Sequence, residues 1–392
     1  MNTQRLDALL KSFTTMERGV AGCALNVSIK GKTAYEGYCG MADIEAGRAI
    51  GPDTLYRLYS SGKVVTAVAM MMLLERGYYL LDDPIAKYLP EFKDAQVAVR
   101  TGNNMQTLRP AKALTVKHFL TMTTGLTYGG NLSSTHDSVR KVFEEIDASG
   151  GCSTRVFSRM AASVPLLFEP GTSWNYGINL DVLGAFIEVV TDKTFGQFLQ
   201  DELYAPLGMT DSVFFVDEAR KARLAKVYTW DEKGRRVVNS ADDYKFDASY
   251  RFESGGGGMI SSLSDQTRFA RMLSMGGELD GVRILGRKTI DLMRQNHLCP
   301  EALAAFRATH ENGWSFMAGY GYGLGVKTLL SVADANCSGT VGEFSWAGAA
   351  GTLTLIDPVE QMSVVYMQQQ MPGNREETCH PLLRNVIYGL LD

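Results

Sequence analysis

The sequence predicts a mixed α/β protein in which both ends of the chain build one sheet around an inserted, mainly helical region. Short runs with strand composition occur near the N-terminus and again in the last third. Between them, helical periods dominate and are interrupted by prolines. We therefore expect a discontinuous sheet domain at 1–80 and 250–392, a mainly helical domain at 81–249, and a functional site between the two.

The individual elements follow from hydrophobic period and from turn residues. Leu6, Leu10 and Phe13 at helical spacing predict a first helix, and Gly77 ends a long apolar one. The glycine run at 255–258 is interpreted as a joint. The predicted strands are 23–29, 33–39, 54–58, 321–329, 343–347, 351–356 and 362–369, and the main predicted helices are 60–75, 116–122, 138–147, 155–163, 181–190, 194–203, 266–274 and 381–391.

Composition and charge exclude several function classes. Apolar residues make up 45% and charged residues 21%, which is typical of a soluble globular protein. The net charge of -4, without a basic patch, argues against a nucleic-acid partner. No stretch approaches 18 uncharged apolar residues, so we expect no membrane span, and the N-terminal residues lack the features of a signal peptide. We expect a cytoplasmic protein.

The cysteines and histidines give no pattern that holds a metal. The six cysteines are far apart and form no CxxC pair, so we expect reduced thiols. The five histidines, at 118, 136, 297, 310 and 380, form no H-x-x-x-H pair. P-loop, dinucleotide and G-x-S-x-G motifs are also missing from the sequence. We therefore predict neither a metal nor a cofactor.

The segment 60–63 (SSGK) is the strongest candidate for a nucleophile. Residues three apart share one helix face, so Lys63 can lie beside Ser60, and a serine hydroxyl needs such a neighbour to become reactive. The start of a helix adds a free N–H that could stabilise an oxyanion. A second S-x-x-K at 138–141 precedes an acidic stretch, whereas Ser60 opens an apolar helix. The alternative is that Ser60 is an ordinary N-cap.

Two later motifs could complete a catalytic site. Tyr176 lies on a turn before a helix, where its phenol near a lysine could act as a general base, or where it could be an ordinary half-buried tyrosine. At 346–351 (WAGAAG) small residues follow a bulky strand and would let a ligand approach the backbone, unless they serve only tight sheet packing. Tyr128, near a turn, could line an acyl pocket.

These three motifs, in this order and spacing, resemble the serine β-lactamase and penicillin-binding-protein superfamily. The likeness extends over segments 56–67, 81–90, 116–126, 205–209 and 255–259, and is closest to the class C-like branch and its family VIII carboxylesterases. The resemblance implies an antiparallel sheet flanked by helices with an inserted helical domain. It implies that Ser60 is acylated and that Lys63 and Tyr176 share the general-base role. It also implies an oxyanion hole made by the backbone N–H groups of Ser60 and Ala349.

The chain departs from the β-lactamase pattern at the substrate pocket. Trp346-Ala347-Gly348 stands where those enzymes have Lys-Thr-Gly, and an uncharged indole cannot form a salt bridge with an anionic substrate. Ile178 stands where class C enzymes have asparagine, and Asn179 follows one position later. The pocket residues expected from the resemblance are Trp346, Ala347, Gly348, Tyr128, Ile178 and Asn179.

These patterns lead to one preferred function and three alternatives. We predict a carboxylesterase that cleaves small-molecule esters through an acyl-enzyme on Ser60, with no nucleic-acid or membrane partner. The alternatives are a β-lactamase, D-amino-acid peptidase or amidase; an acyltransferase on the same site; and a non-catalytic binding protein on the same scaffold. The sequence leaves the oligomeric state open.

Overall fold

The computed structural model describes residues 3–100, 106–309, 317–373 and 378–391, and His310 lies outside these ranges. The strands within them are β1 (Gly22–Ile29), β2 (Lys32–Asp43), β3 (Arg48–Ala49), β4 (Leu55–Arg57), β5 (Gln96–Arg100), β6 (Gln106–Pro110), β7 (Tyr228–Trp230), β8 (Arg236–Val238), β9 (Ile260–Ser262), β10 (Glu278–Leu279), β11 (Val282–Arg283), β12 (Tyr320–Tyr322), β13 (Lys327–Leu329), β14 (Phe344–Ala347), β15 (Leu353–Asp357) and β16 (Met362–Gln368).

The helices in the same ranges alternate with these strands at both ends of the chain and follow one another in the middle. They are α1 (Thr3–Thr15), α2 (Lys63–Glu75), α3 (Val116–Leu120), α4 (Ser134–Ala148), α5 (Thr154–Ala162), α6 (Asn179–Thr191), α7 (Phe195–Leu199), α8 (Ala205–Leu207), α9 (Glu218–Arg223), α10 (Leu263–Ser274), α11 (Arg287–Met293), α12 (Pro300–Ala308), α13 (Val332–Ala335) and α14 (Cys379–Tyr388).

One antiparallel sheet joins the two ends of the chain. Within the described residues it has eight strands in the order β12-β13-β14-β15-β16-β1-β2-β3. The N-terminal β1 pairs with the C-terminal β16, so that Val27 lies opposite Val364. The predicted α/β class, with an antiparallel sheet flanked by helices, is confirmed. The boundaries proposed for the two domains stay a prediction.

Helices cover both faces of this sheet. On one face α1 and α14 pack together, and Leu6, Phe13 and Leu383 share an apolar cluster with side chains of β1, β15 and β16. On the other face α10 contacts β1, β15 and β16. Because β1 is covered on both faces, it is buried along almost its whole length rather than on alternate residues.

The helix α2 is the buried axis of the molecule and carries the predicted Lys63. Every residue from Lys63 to Leu73 is buried, as expected for a helix that is apolar all round. It packs against α6 and α11, and its N-terminal end contacts β14. Just upstream, β4 pairs with β9, which places the Ser60 segment beside the chain that follows the glycine run. The end of α2 is therefore fixed from several sides.

The structure corrects several predicted elements. The predicted strand 321–329 is two strands, β12 and β13, because the chain turns between them, with the Gly323 N–H donating to the Val326 carbonyl at 2.7 Å. The helix predicted at 194–203 ends as α7 and continues in a wider turn over Gln200–Tyr204. Hairpins β5–β6 and β7–β8 were missed; each forms a separate two-stranded sheet, joined to the rest of the chain by single bridges, Val97 to Leu166 and Tyr228 to Gln370.

Two further properties concern the length of the helices and the state of the cysteines. Across the described ranges, the helices are all too short or too polar to cross a membrane. All six cysteines are free thiols.

Candidate active site

The hydroxyl of Ser60 is presented by a tight turn rather than by the helix itself. A 3₁₀ turn over Tyr59–Gly62 runs directly into α2, so Ser60, where the helix was predicted to start, lies in this turn and three residues before the observed start of α2. Tyr59 has a φ of 47°, a left-handed conformation that is uncommon for a non-glycine residue and costs on the order of 1 kcal/mol. The turn is anchored by the Leu58 N–H, which donates to the Met259 carbonyl at 2.8 Å. Such a strained turn beside a reactive side chain is typical of functional sites.

Three predicted catalytic side chains converge on one point. The Tyr176 hydroxyl donates to Ser60 Oγ at 2.5 Å, and Lys63 Nζ donates to the same oxygen at 3.1 Å. Ser60 and Tyr176 are 116 positions apart in sequence, so the contact is a product of the fold. The Ser60 hydroxyl is engaged with these two groups and makes no N-cap hydrogen bond. The N-cap alternative for Ser60 is therefore wrong.

The ammonium group of Lys63 is buried and held by three acceptors. Its side chain is fully enclosed, and Nζ donates to Ser60 Oγ, to the Tyr128 hydroxyl at 2.9 Å and to the Gly256 carbonyl at 2.5 Å. An ammonium group has three donors, so each one is matched. The Tyr176 ring lies 4.8 Å from Nζ and adds a cation–π contact. Lys63 thus has one fixed direction, toward the serine.

Asp181 is a buried acid behind this lysine that sequence reasoning missed. It is 2% exposed, and its Oδ1 accepts from the Ser254 hydroxyl and, at 2.9 Å, from the Gly256 N–H. Burial raises the pKa of Asp181, and the positive charge of Lys63 opposes that rise. A charged residue in the apolar first turn of α6 was the available signal.

Gly256 connects Asp181 to Lys63 through its own backbone N–H and carbonyl groups. Its N–H is bound by the carboxylate of Asp181, and its carbonyl accepts from Lys63. A Cβ at position 256 would lie 2.2 Å from the carboxylate, so only glycine allows this approach. The glycine run that was interpreted as a joint forms the wall of the site.

An aromatic stack supports the Tyr176 ring. The indole of Trp346 lies parallel to it, with centroids 5.5 Å apart and an interplanar angle of 25°. The Tyr128 ring lies on another side at 5.2 Å, and Tyr322 meets Trp346 edge-on at 5.4 Å. Because Trp346 is only 3% exposed, its main contact is with Tyr176 rather than with the open cleft.

Tyr128 and Tyr176 are two neighbouring phenols with different surroundings. The Tyr128 hydroxyl accepts from Lys63, whereas the Tyr176 hydroxyl contacts Ser60. Burial, together with the negative charge of Asp181, places the pKa of Tyr128 well above its ordinary value. Tyr128 is therefore a neutral phenol that orients Lys63, and Tyr176 is the phenol in reach of the nucleophile.

The third motif forms the turn between β14 and β15. A Cβ at Gly348 would lie 2.2 Å from the Leu58 carbonyl, so this glycine lets the turn approach the Ser60 segment closely. Ala347 is nearly buried, whereas Ala349 is exposed at the tip of the turn and lines the same cavity as Ser60. The two expected oxyanion donors therefore border one space.

The structure places two expected pocket residues in the core instead. Ile178 and Asn179 are both fully buried. The Asn179 Oδ1 accepts from the Thr124 hydroxyl at 2.5 Å, because α6 begins here and turns the amide inward. The amide that β-lactamases of this type direct at a substrate is therefore not in the cleft at position 179.

Two cavities meet at the catalytic side chains. The first, which we call the serine cavity, has a volume of about 330 Å³ and is lined by Ser60, Ala349 and Asp181 among others. The second, the tyrosine cavity, has about 580 Å³ and is lined by Tyr176 and Trp174. Tyr128 separates them and lines both.

Other candidate groups do not form a competing site. The second S-x-x-K lies on α4, where Lys141 is exposed and pairs with Asp137 at 2.8 Å. In the part of the chain that the structure describes, no three His, Cys, Asp or Glu side chains are grouped as metal ligands.

Comparisons with known proteins find relatives that cover most of this chain. Esterase EstB of Burkholderia gladioli is 28% identical over 411 residues, which cover 98% of this chain and 95% of EstB. A monacolin J acid methylbutanoyltransferase of Aspergillus terreus is 28% identical over 356 residues, covering 86% and 82%. The solved structure of EstCE1, described as a hydrolase with promiscuous acyltransferase activity, superposes with a TM-score of 0.78 at 24% identity, covering 99% and 98%.

A family model described as Beta-lactamase matches residues 4–386, nearly the whole chain. The resemblance inferred from the three motifs is thereby confirmed. The chain belongs to the Beta-lactamase family.

Proposed function

We propose that this protein is a serine carboxylesterase that cleaves small neutral esters through an acyl-enzyme on Ser60. The observation that carries the proposal is the convergence of the Tyr176 hydroxyl, 2.5 Å away, and Lys63 Nζ, 3.1 Å away, on the Ser60 Oγ. A nucleophile within hydrogen-bond reach of its base is the arrangement that covalent catalysis requires. The esterase relative of nearly equal length supports the ester as the bond cleaved.

The proposed chemistry proceeds in two steps with balanced protons. The reaction starts from the state in which one group of the Tyr176–Lys63 pair lacks a proton. Ser60 Oγ attacks the ester carbonyl carbon while its own proton passes to the vacant position on that pair. The N–H groups of Ser60 and Ala349 stabilise the oxyanion. The bond to the alcohol then breaks, and Tyr176 returns the proton to the alkoxide oxygen. Water next attacks the acyl-enzyme and gives a proton to the same pair. The bond to Ser60 Oγ breaks, the pair returns that proton to Oγ, and the acid leaves.

A neutral substrate fits the charges that line the site. Trp346 provides no cation where β-lactamases place a lysine, and its indole is occupied by Tyr176. Lys63 is already bound by three acceptors and faces Asp181 across Gly256. Lys245, at the edge of the serine cavity, pairs with Asp242 at 2.8 Å. A substrate carboxylate entering this site would lose hydration without gaining a salt bridge.

A substrate panel tests the proposal against the β-lactamase and peptidase alternatives. We expect kcat/KM for p-nitrophenyl acetate and butyrate to exceed that for nitrocefin by about 100-fold or more, and D-alanyl p-nitroanilide to be cleaved slowly. Initial rates by absorbance measure all four. Faster hydrolysis of nitrocefin than of both esters would contradict the proposal.

Acyl transfer is a second candidate, favoured by the transferase relative from Aspergillus terreus. An acyl-enzyme on Ser60 could be resolved by an alcohol that takes the position of water. Adding 1-butanol during hydrolysis of p-nitrophenyl butyrate separates the two functions. Esterase function predicts butyric acid as the main product by gas chromatography, whereas butyl butyrate as the main product at low alcohol concentration would favour the transferase.

The two neighbouring tyrosines give a matched pair of variants. Tyr176→Phe removes the phenol that contacts Ser60, so we expect kcat for p-nitrophenyl acetate to fall by about 100-fold or more. Tyr128→Phe removes one of three acceptors of Lys63, so a fall of less than about tenfold is expected. Steady-state kinetics compare the two variants, and an equal or larger loss in Tyr128→Phe would reverse the assigned roles.

Asp181→Asn tests whether a buried negative charge positions Lys63. The amide keeps the size of the carboxylate and one oxygen for Ser254 and Gly256, so the fold should persist. Removing a negative charge beside the Tyr176–Lys63 pair favours loss of a proton from that pair. The acidic limb of the kcat/KM profile should therefore move to lower pH, and kcat should fall by about tenfold. Ser254→Ala, which leaves the charge in place, serves as the control. An unshifted profile in Asp181→Asn would show that the acid has only a structural role.

A further inference from the structure

The two cavities at the candidate site share Tyr128 but differ in which of the proposed catalytic groups line them. The serine cavity is lined by Ser60 and Ala349, the expected oxyanion donors. The tyrosine cavity is lined by Tyr176, the group expected to protonate the alcohol. These two sets of groups act on different atoms of the same tetrahedral intermediate, so the cavities can be assigned to different parts of the substrate.

The directions of the bonds around the reacting carbon make this assignment. That carbon carries the bond to Ser60 Oγ, the oxyanion, the alcohol oxygen and the acyl chain. The alcohol oxygen must come within hydrogen-bond reach of the Tyr176 hydroxyl in order to receive its proton. The acyl chain takes the remaining direction, away from Tyr176, and of the two cavities the serine cavity is the one that contains Ser60 and that Tyr176 does not line.

The walls of the serine cavity are apolar and aromatic. Six of its lining residues are aromatic: Tyr59, Tyr128, Phe143, Phe246, Tyr250 and Phe252. The rings are held in place: Phe252 stacks on Phe157 with centroids 4.4 Å apart, and Phe246 meets Tyr59 edge-on. A preformed aromatic pocket of about 330 Å³ is at the small end of the range for small-molecule sites.

The polar groups of the lining are already engaged elsewhere. The Tyr250 hydroxyl donates to Asp147 at 2.7 Å, so this tyrosine offers the cavity its ring. Lys245 pairs with Asp242 at 2.8 Å. The Asp181 carboxylate is bound through Oδ1 by Ser254 and Gly256, and its other oxygen, Oδ2, is buried without a hydrogen-bond partner. A negatively charged acyl chain would therefore be buried beside a carboxyl group and without a partner.

Resting on the proposed esterase function, we propose that the serine cavity is the acyl subsite and selects neutral, medium-length acyl groups of about four to eight carbons or a single aromatic ring. The leaving alcohol occupies the tyrosine cavity. Acyl-chain preference is thus set by the aromatic residues that the sequence spreads between positions 143 and 252.

An acyl series with one alcohol tests this assignment in the wild-type protein. For p-nitrophenyl acetate, butyrate, hexanoate and octanoate, we expect kcat/KM to rise by up to about fourfold for each added methylene until the cavity is full. The p-nitrophenyl monoester of succinic acid, which carries a carboxylate, should react at least about tenfold more slowly than the butyrate. A flat or falling series, or a preferred succinate, would overturn the proposal.

Gly257→Val narrows the cavity without touching a reacting group. A Cβ at position 257 would meet only Tyr59 backbone atoms at 3.7 Å or more, so a side chain can begin at this position without a clash at its first carbon. We expect the ratio of kcat/KM for octanoate over acetate to fall by at least about tenfold. Gly130→Val is the matched control: its Cβ would meet only His136 at 3.7 Å or more, and the ratio should stay within about twofold of the wild type.

A second series with one acyl group and varied alcohols separates the possible failures. If Gly257→Val changes the preference among acetate esters of different alcohols and leaves the acyl series unchanged, the serine cavity holds the alcohol and the proposal is overturned. If the wild type hydrolyses none of these esters, the proposed esterase function itself fails. A change confined to the acyl series supports the subsite assignment.

Discussion

The site depends on one buried ammonium group. Taking the charge of Lys63 out of water is costly unless acceptors and an opposite charge replace its hydration. Here two hydroxyl oxygens and one carbonyl oxygen accept its three hydrogen bonds, and Asp181 supplies the negative charge. Most other features of the site follow from the need to provide acceptors for the Lys63 ammonium group while keeping its hydrogen bond to Ser60.

That requirement explains why glycines and aromatic rings surround the lysine. Its carbonyl acceptor can reach it only because position 256 has no side chain against Asp181. Its position over the Tyr176 ring, 4.8 Å from the centroid, adds a cation–π contact that is stronger away from water. The Trp346 stack then holds that ring so that its hydroxyl faces the serine. In the proposed function, substrate selectivity and catalytic geometry are thus linked, since Trp346, which stands where β-lactamases have a lysine, also orients Tyr176.

The parts of the site that are local in sequence could be predicted from the residues alone. Ser60 and Lys63 are one helical turn apart, and their contact needs only that spacing. Tyr176 was a candidate from its own turn, but its pairing with Ser60 was predicted through the resemblance to a family, because a contact across 116 positions has no local signal. The antiparallel sheet joining both chain ends was predictable in class, whereas the turn that splits 321–329 was not, since both halves have strand composition.

The roles of Asp181, Gly256 and Asn179 could not be predicted from the sequence, for a physical reason. Asp181 and Gly256 matter through a hydrogen bond between positions 75 apart, and the local pattern of neither residue indicates that pairing. Asn179 was misplaced because its motif position indicated the cleft, while its helix start turned it toward Thr124. Burial and direction of a side chain depend on packing between elements, which periodicity does not describe.

Mapping the residue that a fluorophosphonate modifies tests the central claim most directly. The account predicts one adduct per chain, located by peptide mass spectrometry on Ser60, with labelling strongly slowed when Lys63 is replaced by alanine. An adduct on Ser138 or on any other residue, with Ser60 unmodified, would contradict it.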